Sequence, residues 1–121
     1  MSKILVVDDN ESIREVLRFL LTEEGFFVRT ARDGGEALDI LQHESGWLIL
    51  LDLMMPRLDG RAVLTYLRLH PDLLTGNTVI LMTATERSTP DYQALLAEVA
   101  AELPKPFDLD QVLSLVHCLT A

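Results

Sequence analysis

Five side chains of this sequence could do chemistry together: Asp8, Asp9, Asp52, Thr83 and Lys105. Each follows a short strand-like run: the apolar ILVV before Asp8-Asp9, LILL before Asp52 and VILM before Thr83, and the shorter ELP before Lys105. Singly, each has a bland reading. Asp8, Asp9 or Asn10 could cap a helix, Asp52 could be a loop acid, and Thr83 and Lys105 could be ordinary surface residues. Their joint occurrence at successive strand ends favours a shared site. Carboxylates crowded within a few ångströms repel one another and resist full ionisation. A hard divalent cation relieves that repulsion, and an oxygen-only donor set suits Mg²⁺, which keeps several waters and takes phosphate oxygens readily. A lysine charge and a hydroxyl complete a shell for an anionic phosphoryl group. One carboxylate can then act as nucleophile and form an aspartyl phosphate.

The elements that must hold these groups alternate in type. Lys3–Val7, Trp47–Leu51 and Thr78–Met82 are nearly continuous apolar runs, as in strands buried on both faces. Phe26–Ala31 and the short Glu102–Pro104 read as two further strands. Between them lie segments of helical period. Ser12–Glu24 carries Ile13, Val16, Leu17, Leu20 and Leu21 on one stripe, with Gly25 suited to its C-terminal cap. Asp33 and Glu36 form a capping-box pattern opening a helix to about Gln42. Asp59-Gly60 opens one to about Leu69, where Pro71 marks its end. Thr89-Pro90-Asp91 opens a helix striped by Tyr92, Leu95, Leu96 and Val99. Asp108 caps the last, with Leu109, Val112, Leu113, Val116 and Leu119. Five strand–helix alternations predict an α/β fold: a doubly wound parallel sheet with helices on both faces. In such sheets ligands bind beyond the carboxyl ends of the strands, where the five candidate residues fall.

Composition narrows the function classes. At 121 residues with 49% hydrophobic and 24% charged residues, the chain fits one globular domain, 1–121. The one cysteine, Cys118, excludes an intrachain disulfide framework. His43, His70 and His117 are scattered over helices and expected at the surface, so neither thiol catalysis nor a histidine metal site is indicated. The opening apolar run is too short for a signal peptide, and no stretch approaches the roughly 20 apolar residues of a membrane span. A cytoplasmic location is expected. Ten basic against nineteen acidic residues leave a formal charge of −9, with a pI near 4.6. Such a field disfavours binding to a nucleic-acid backbone, and without an apolar span no membrane partner is expected. From Ser88 to the end there are five acids and one base, Lys105. Neither a GxxxxGK[ST] nor a GxGxxG motif occurs, so a nucleotide site is not indicated.

Taken in order, ILVVDDNESIREVLRFLL, TARDGGEAL, LLDLMMPRLDG, ILMTA and LPKPF resemble the receiver domain of two-component response regulators over essentially the whole chain. The spacings Asp52–Thr83 (31 residues) and Thr83–Lys105 (22) agree. The resemblance implies a CheY-like, flavodoxin-like sheet of order 2-1-3-4-5 flanked by five helices. It implies that Asp52 is the phosphoacceptor, that Asp9 is a direct Mg²⁺ ligand, and that Asp8 acts usually through water. The backbone carbonyl of Met54 would complete the metal shell. Thr83, followed by the Ala84 N–H, matches the hydroxyl that moves to the phosphoryl group on activation. Lys105 matches the phosphate-binding lysine, whose bond to the next proline is cis in that family. The implied partners are a histidine kinase or phosphotransfer protein and a downstream protein or effector domain.

The chain departs from the family at Glu102. Tyr or Phe usually stands there, three residues before the lysine, and fills the space left as the threonine moves. Burying an unpaired carboxylate is strongly unfavourable, so Glu102 is expected to face solvent, with the activating change confined to Ala84–Ser88 and the start of the following helix. Ser88–Ala101 also lacks any base, unlike the charge ladder of the dimerising DNA-binding subfamily, so a basic partner patch is the expected complement. The rival function is a phosphorylation-independent scaffold or adaptor of the same fold, which Glu102 favours and the complete acid–Thr–Lys set opposes. A Mg²⁺-dependent phosphatase is disfavoured because the candidate nucleophile Asp52 opens DLMMP and not the expected DxDx[TV] motif.

Overall fold

The structure is a computed structural model that describes residues 2–55, 59–83, 94 and 97–120. Five strands form one sheet: β1 (Lys3–Val7), β2 (Phe27–Ala31), β3 (Trp47–Asp52), β4 (Thr78–Thr83) and β5 (Ala101–Pro104). Their order is β2-β1-β3-β4-β5 and every neighbouring pair is parallel. The described helices are α1 (Glu11–Glu23), α2 (Gly34–His43), α3 (Gly60–Leu69), a single turn α4 (Pro71–Thr75) and α5 (Leu109–Thr120). The expected helix after Thr89 lies mostly outside the described residues; Ala94 is helical, but Val99, expected on its stripe, sits in a bend before β5.

Side-chain alternation along the strands splits the core into two layers. Leu5, Val7, Ile49, Leu51 and Leu81 pack against Ala37 and Leu41 of α2 and Val63, Leu64 and Leu67 of α3. Ile4, Val6, Leu48, Leu50, Ile80 and Met82 pack on the other face against Leu17 and Leu21 of α1 and Val112 and Val116 of α5. The central strands β1, β3 and β4 thus bury both faces, which is why they read as unbroken apolar runs. The edge strand β2 alternates exposed and half-buried positions before ending at buried Ala31.

The helix starts follow local capping. Asn10 accepts from the Ile13 N–H, Asp33 from Glu36 and Asp59 from Ala62. Asp108 and Gln111 form a reciprocal pair, each backbone N–H donating to the other's side chain. Each cap satisfies an orphan donor of the first turn and contributes about 1 kcal/mol. Pro71 does end α3, whose last residue is Leu69, but the chain continues at once as α4. Proline at the first helical position loses no hydrogen bond, so it starts α4 as readily as it stops α3. Strands β3 and β4 each run one residue beyond the expected end, so that Asp52 and Thr83 are the last residues of their strands.

Gly60 lies against the end of β3. A Cβ there would sit 2.5 Å from the Asp52 carbonyl oxygen and 2.7 Å from the Leu53 Cα, both backbone atoms that cannot swing away. Gly60→Ala is therefore expected to lower stability by about 1–3 kcal/mol through overpacking. It should also displace Asp52, and with it any divalent cation held by that carboxylate. Urea unfolding and metal titration of the variant check this, and a fully neutral result would mean that α3 can shift freely against β3.

Candidate functional site

The carboxyl ends of β1, β3 and β5 bring Asp8, Asp9, Asp52, Met54 and Lys105 to one cleft of about 570 Å³. One carboxylate oxygen from each of Asp8, Asp9 and Asp52 lies within 4.8 Å of the others. Asp8 is fully buried and Asp52 is 4% exposed, whereas Asp9 is exposed. The register explains the convergence. Val7 pairs with Leu51 and Asp52 with Met82, so the β1 and β3 ends finish side by side.

Each buried acid is held by named donors. Asp8 Oδ1 accepts from the Asn10 N–H at 2.9 Å and Oδ2 from Lys105 Nζ at 3.0 Å. Asp52 Oδ1 accepts from the Met54 N–H at 3.2 Å, and its Oδ2 lies 3.4 Å from Lys105 Nζ. Arg14 donates to the Asp8 backbone carbonyl at 2.8 Å, tying the start of α1 to this rim. The Lys105 N–H donates to the Thr83 carbonyl at 2.6 Å, and the Lys105–Pro106 bond is cis.

The electrostatics follow from this packing. Burial pushes the Asp52 carboxyl up to about 6, and the charge of Asp8 adds to the rise; Lys105 and the Met54 N–H oppose both. For Lys105, burial alone would lower the ammonium's pKa. The hydrogen bond and charge of Asp8, with the charge of Asp52, outweigh it, so the group is raised and stays cationic. The site therefore holds buried carboxylates whose repulsion one ammonium offsets in part. Its three carboxylates offer only hard oxygen donors, with Asp9 open to solvent, which is the donor chemistry of a Mg²⁺ site.

Thr83 is the exception among the expected site residues. It is 1% exposed, but it is not among the residues lining the cleft. Its hydroxyl donates to Glu102 Oε2 at 3.1 Å. This corrects the expectation that Glu102 faces solvent: it is half-buried. The penalty argued from sequence applies to an unpaired charge, and this carboxylate is hydrogen-bonded. The Asn10 and Met54 backbone donors also escaped the sequence reading, although Asn10 was a candidate cap. The Ala84 N–H and the segment Ala84–Ser88 lie outside the described residues. His43, His70 and His117 are exposed, as expected.

Comparisons with known proteins agree with this arrangement. The response regulator receiver domain family matches residues 4–117. The chain is 39% identical over 117 residues to response regulator MprA of Mycolicibacterium vanbaalenii, covering 97% of this chain and 49% of that protein. MprA of Mycobacterium avium is likewise 39% identical, with 50% of its length covered. The chain thus spans about half the length of these relatives. Among solved structures it is similar to the receiver domain of Francisella response regulator 1452, with a TM-score of 0.85 and 32% identity over 98% of this chain and 96% of that one. It is also similar to TrrA of Thermotoga maritima in complex with Mg²⁺-BeF, with a TM-score of 0.80 and 31% identity over 98% and 99%. With the parallel sheet of order 2-1-3-4-5, the acids at its carboxyl end and a family match over nearly the full length, this chain belongs to the response regulator receiver domains of two-component systems.

Proposed function

We propose that residues 1–121 form a single receiver domain that works as a phosphorylation-dependent switch, with Asp52 as phosphoacceptor. The observation that carries this reading is the meeting of three carboxylates with Lys105 Nζ in one cleft, with Asp52 buried at its floor. Asp8, Asp9, Asp52 and the Met54 carbonyl would hold Mg²⁺. Bound there, the ion would favour the charged form of Asp52 and neutralise phosphoryl oxygens. One Asp52 oxygen attacks phosphorus as the bond from phosphorus to the donor breaks. The donor leaves as the imidazole of a kinase or phosphotransfer histidine, or as acetate when acetyl phosphate is used. Lys105 turns from the carboxylates to the transferred phosphoryl oxygens, supplying a point charge. Attack by water on phosphorus later returns Asp52 to a carboxylate, a step the domain assists itself. The domain acts in the cytoplasm, and its phosphorylated form is read by a downstream protein or effector domain.

The Thr83–Glu102 bond favours a second reading, a scaffold of the same fold that ignores phosphate. Incubation with acetyl phosphate and Mg²⁺, followed by intact mass measurement, separates the two. The switch gains one phosphoryl group, and the scaffold gains none.

Two further results are expected. Lys105→Ala leaves Asp8 and Asp52 buried without their ammonium, so Asp52 should titrate higher still and the metal-free protein should lose about 2 kcal/mol or more. The variant should still bind Mg²⁺, because all the proposed ligands remain, but lose phosphorylation-driven signalling. Failure to bind the metal would give Lys105 a role in building the site. Trp47, at the opposite end of β3, lies five residues before Asp52, roughly 16 Å at about 3.3 Å per strand residue. Its fluorescence should barely respond to Mg²⁺, and strong quenching by the metal alone would place the ion elsewhere.

A further inference from the structure

Strands β4 and β5 pair in the register Leu81–Glu102 and Thr83–Pro104. Alternation sends Leu81 and Thr83 to one face of the sheet, and Leu103 to the opposite core with Met82. Glu102 therefore shares the face of Thr83, close enough to accept its hydroxyl proton at 3.1 Å. A hydroxyl has one proton to donate. While it is directed to Glu102, it is unavailable to any group in the cleft that Asp52 lines.

We propose that Glu102 is a positioning residue that holds the Thr83 hydroxyl toward β5 until a phosphoryl group on Asp52 competes for it. The proposal rests on Asp52 being the phosphoacceptor. The exchange changes only the acceptor: the O–H···O bond to the carboxylate breaks and one to a phosphoryl oxygen forms, with no covalent bond made or broken. A carboxylate accepts about twice as strongly as a neutral group, so it holds the resting position in a way that no aromatic ring could. Glu102 is half-buried and keeps access to water, so its charge remains solvated when Thr83 leaves. A fully buried acid would resist the exchange.

The test is a double-mutant cycle on the 121-residue protein, with Glu102→Ala, Thr83→Val and both together, read by Mg²⁺-dependent binding of beryllium fluoride as phosphoryl mimic. Releasing the hydroxyl should tighten binding about 3- to 10-fold in Glu102→Ala, the worth of one hydrogen bond. Glu102→Gln keeps a neutral acceptor of about half the strength and should give an affinity between those of wild type and Glu102→Ala. In the Thr83→Val background, Glu102→Ala should change nothing. Equal tightening in that background would mean that the lost charge acts through space, which overturns the proposal. No tightening in Glu102→Ala overturns it as well. The same four proteins are unfolded in urea without metal or fluoride, where coupled effects of the two substitutions support the contact and additive effects overturn it. Failure of wild type to bind the fluoride complex, with that coupling present, overturns the phosphoacceptor reading and this role with it. Normal binding with additive effects overturns this role alone.

Discussion

Asp52→Asn is expected to abolish phosphoryl uptake from acetyl phosphate, with no residual mass gain under conditions where the wild-type chain takes one group. The loss should be complete because an amide offers no anionic oxygen to phosphorus, and Asp8 and Asp9 meet the cleft from a different strand. The variant should also fold. Asparagine keeps the shape of the acid, and its carbonyl oxygen can still accept from the Met54 N–H that now holds Asp52 Oδ1 at 3.2 Å. Removing a carboxyl that burial and Asp8 already disfavour in its charged form should raise the stability of the metal-free protein at pH 7, by up to about 3 kcal/mol. Mass measurement of both proteins, with hydroxylamine treatment to cleave an acyl phosphate, checks the assignment. A phosphoryl group on the Asn variant that resists hydroxylamine would identify another acceptor and end the case for Asp52.

Most of this site could be read from the chain because its acids sit where buried strands stop. Apolar runs buried on both faces announce β1, β3 and β4, and the residue that ends each run must lie at the rim. That logic alone puts Asp8, Asp52 and Thr83 at strand ends; the roles proposed for them come from the resemblance to the family. What escaped depends on registers between strands. Nothing local to Glu102 reveals that pairing β5 with β4 sets its carboxylate against the Thr83 hydroxyl. Without that partner the charge would belong in solvent. Gly60 is a similar case. Its sequence context suggested only the opening of a helix, but its lack of a Cβ is what lets α3 pass against the backbone of Asp52. The turn α4 was missed for a different reason, since a proline stops one helix and starts another equally well. No described helix is long and apolar enough to cross a membrane, in line with the hydropathy of the sequence.

Mg²⁺ should stabilise the protein, and the gain should grow with pH. Without metal, the Asp52 carboxyl titrates near 6 in the folded chain against 3.8 for the free group, because of burial first and Asp8 second. A folded pKa above the unfolded one contributes stability that is fully present below about 3.8 and is lost as pH rises through about 6. That loss is on the order of 3 kcal/mol, at about 1.4 kcal/mol per pKa unit. Metal binding needs the deprotonated acid and therefore reverses the preference. At 100 times the dissociation constant, the ion adds about 2.7 kcal/mol, roughly 10 °C in the melting midpoint of a domain this size. Thermal melts in EDTA and in millimolar Mg²⁺ should therefore diverge between pH 5 and pH 7. Asp9→Asn should remove most of the difference. Asp9 is the exposed member of the three acids, so its loss should cost the metal-free fold little. Asp52→Asn should flatten the pH dependence in EDTA, since the group that titrates is gone. A midpoint shift that is absent, or that stays constant from pH 5 to pH 7, would disconnect the metal from the buried carboxylate and leave the acids without a common ligand.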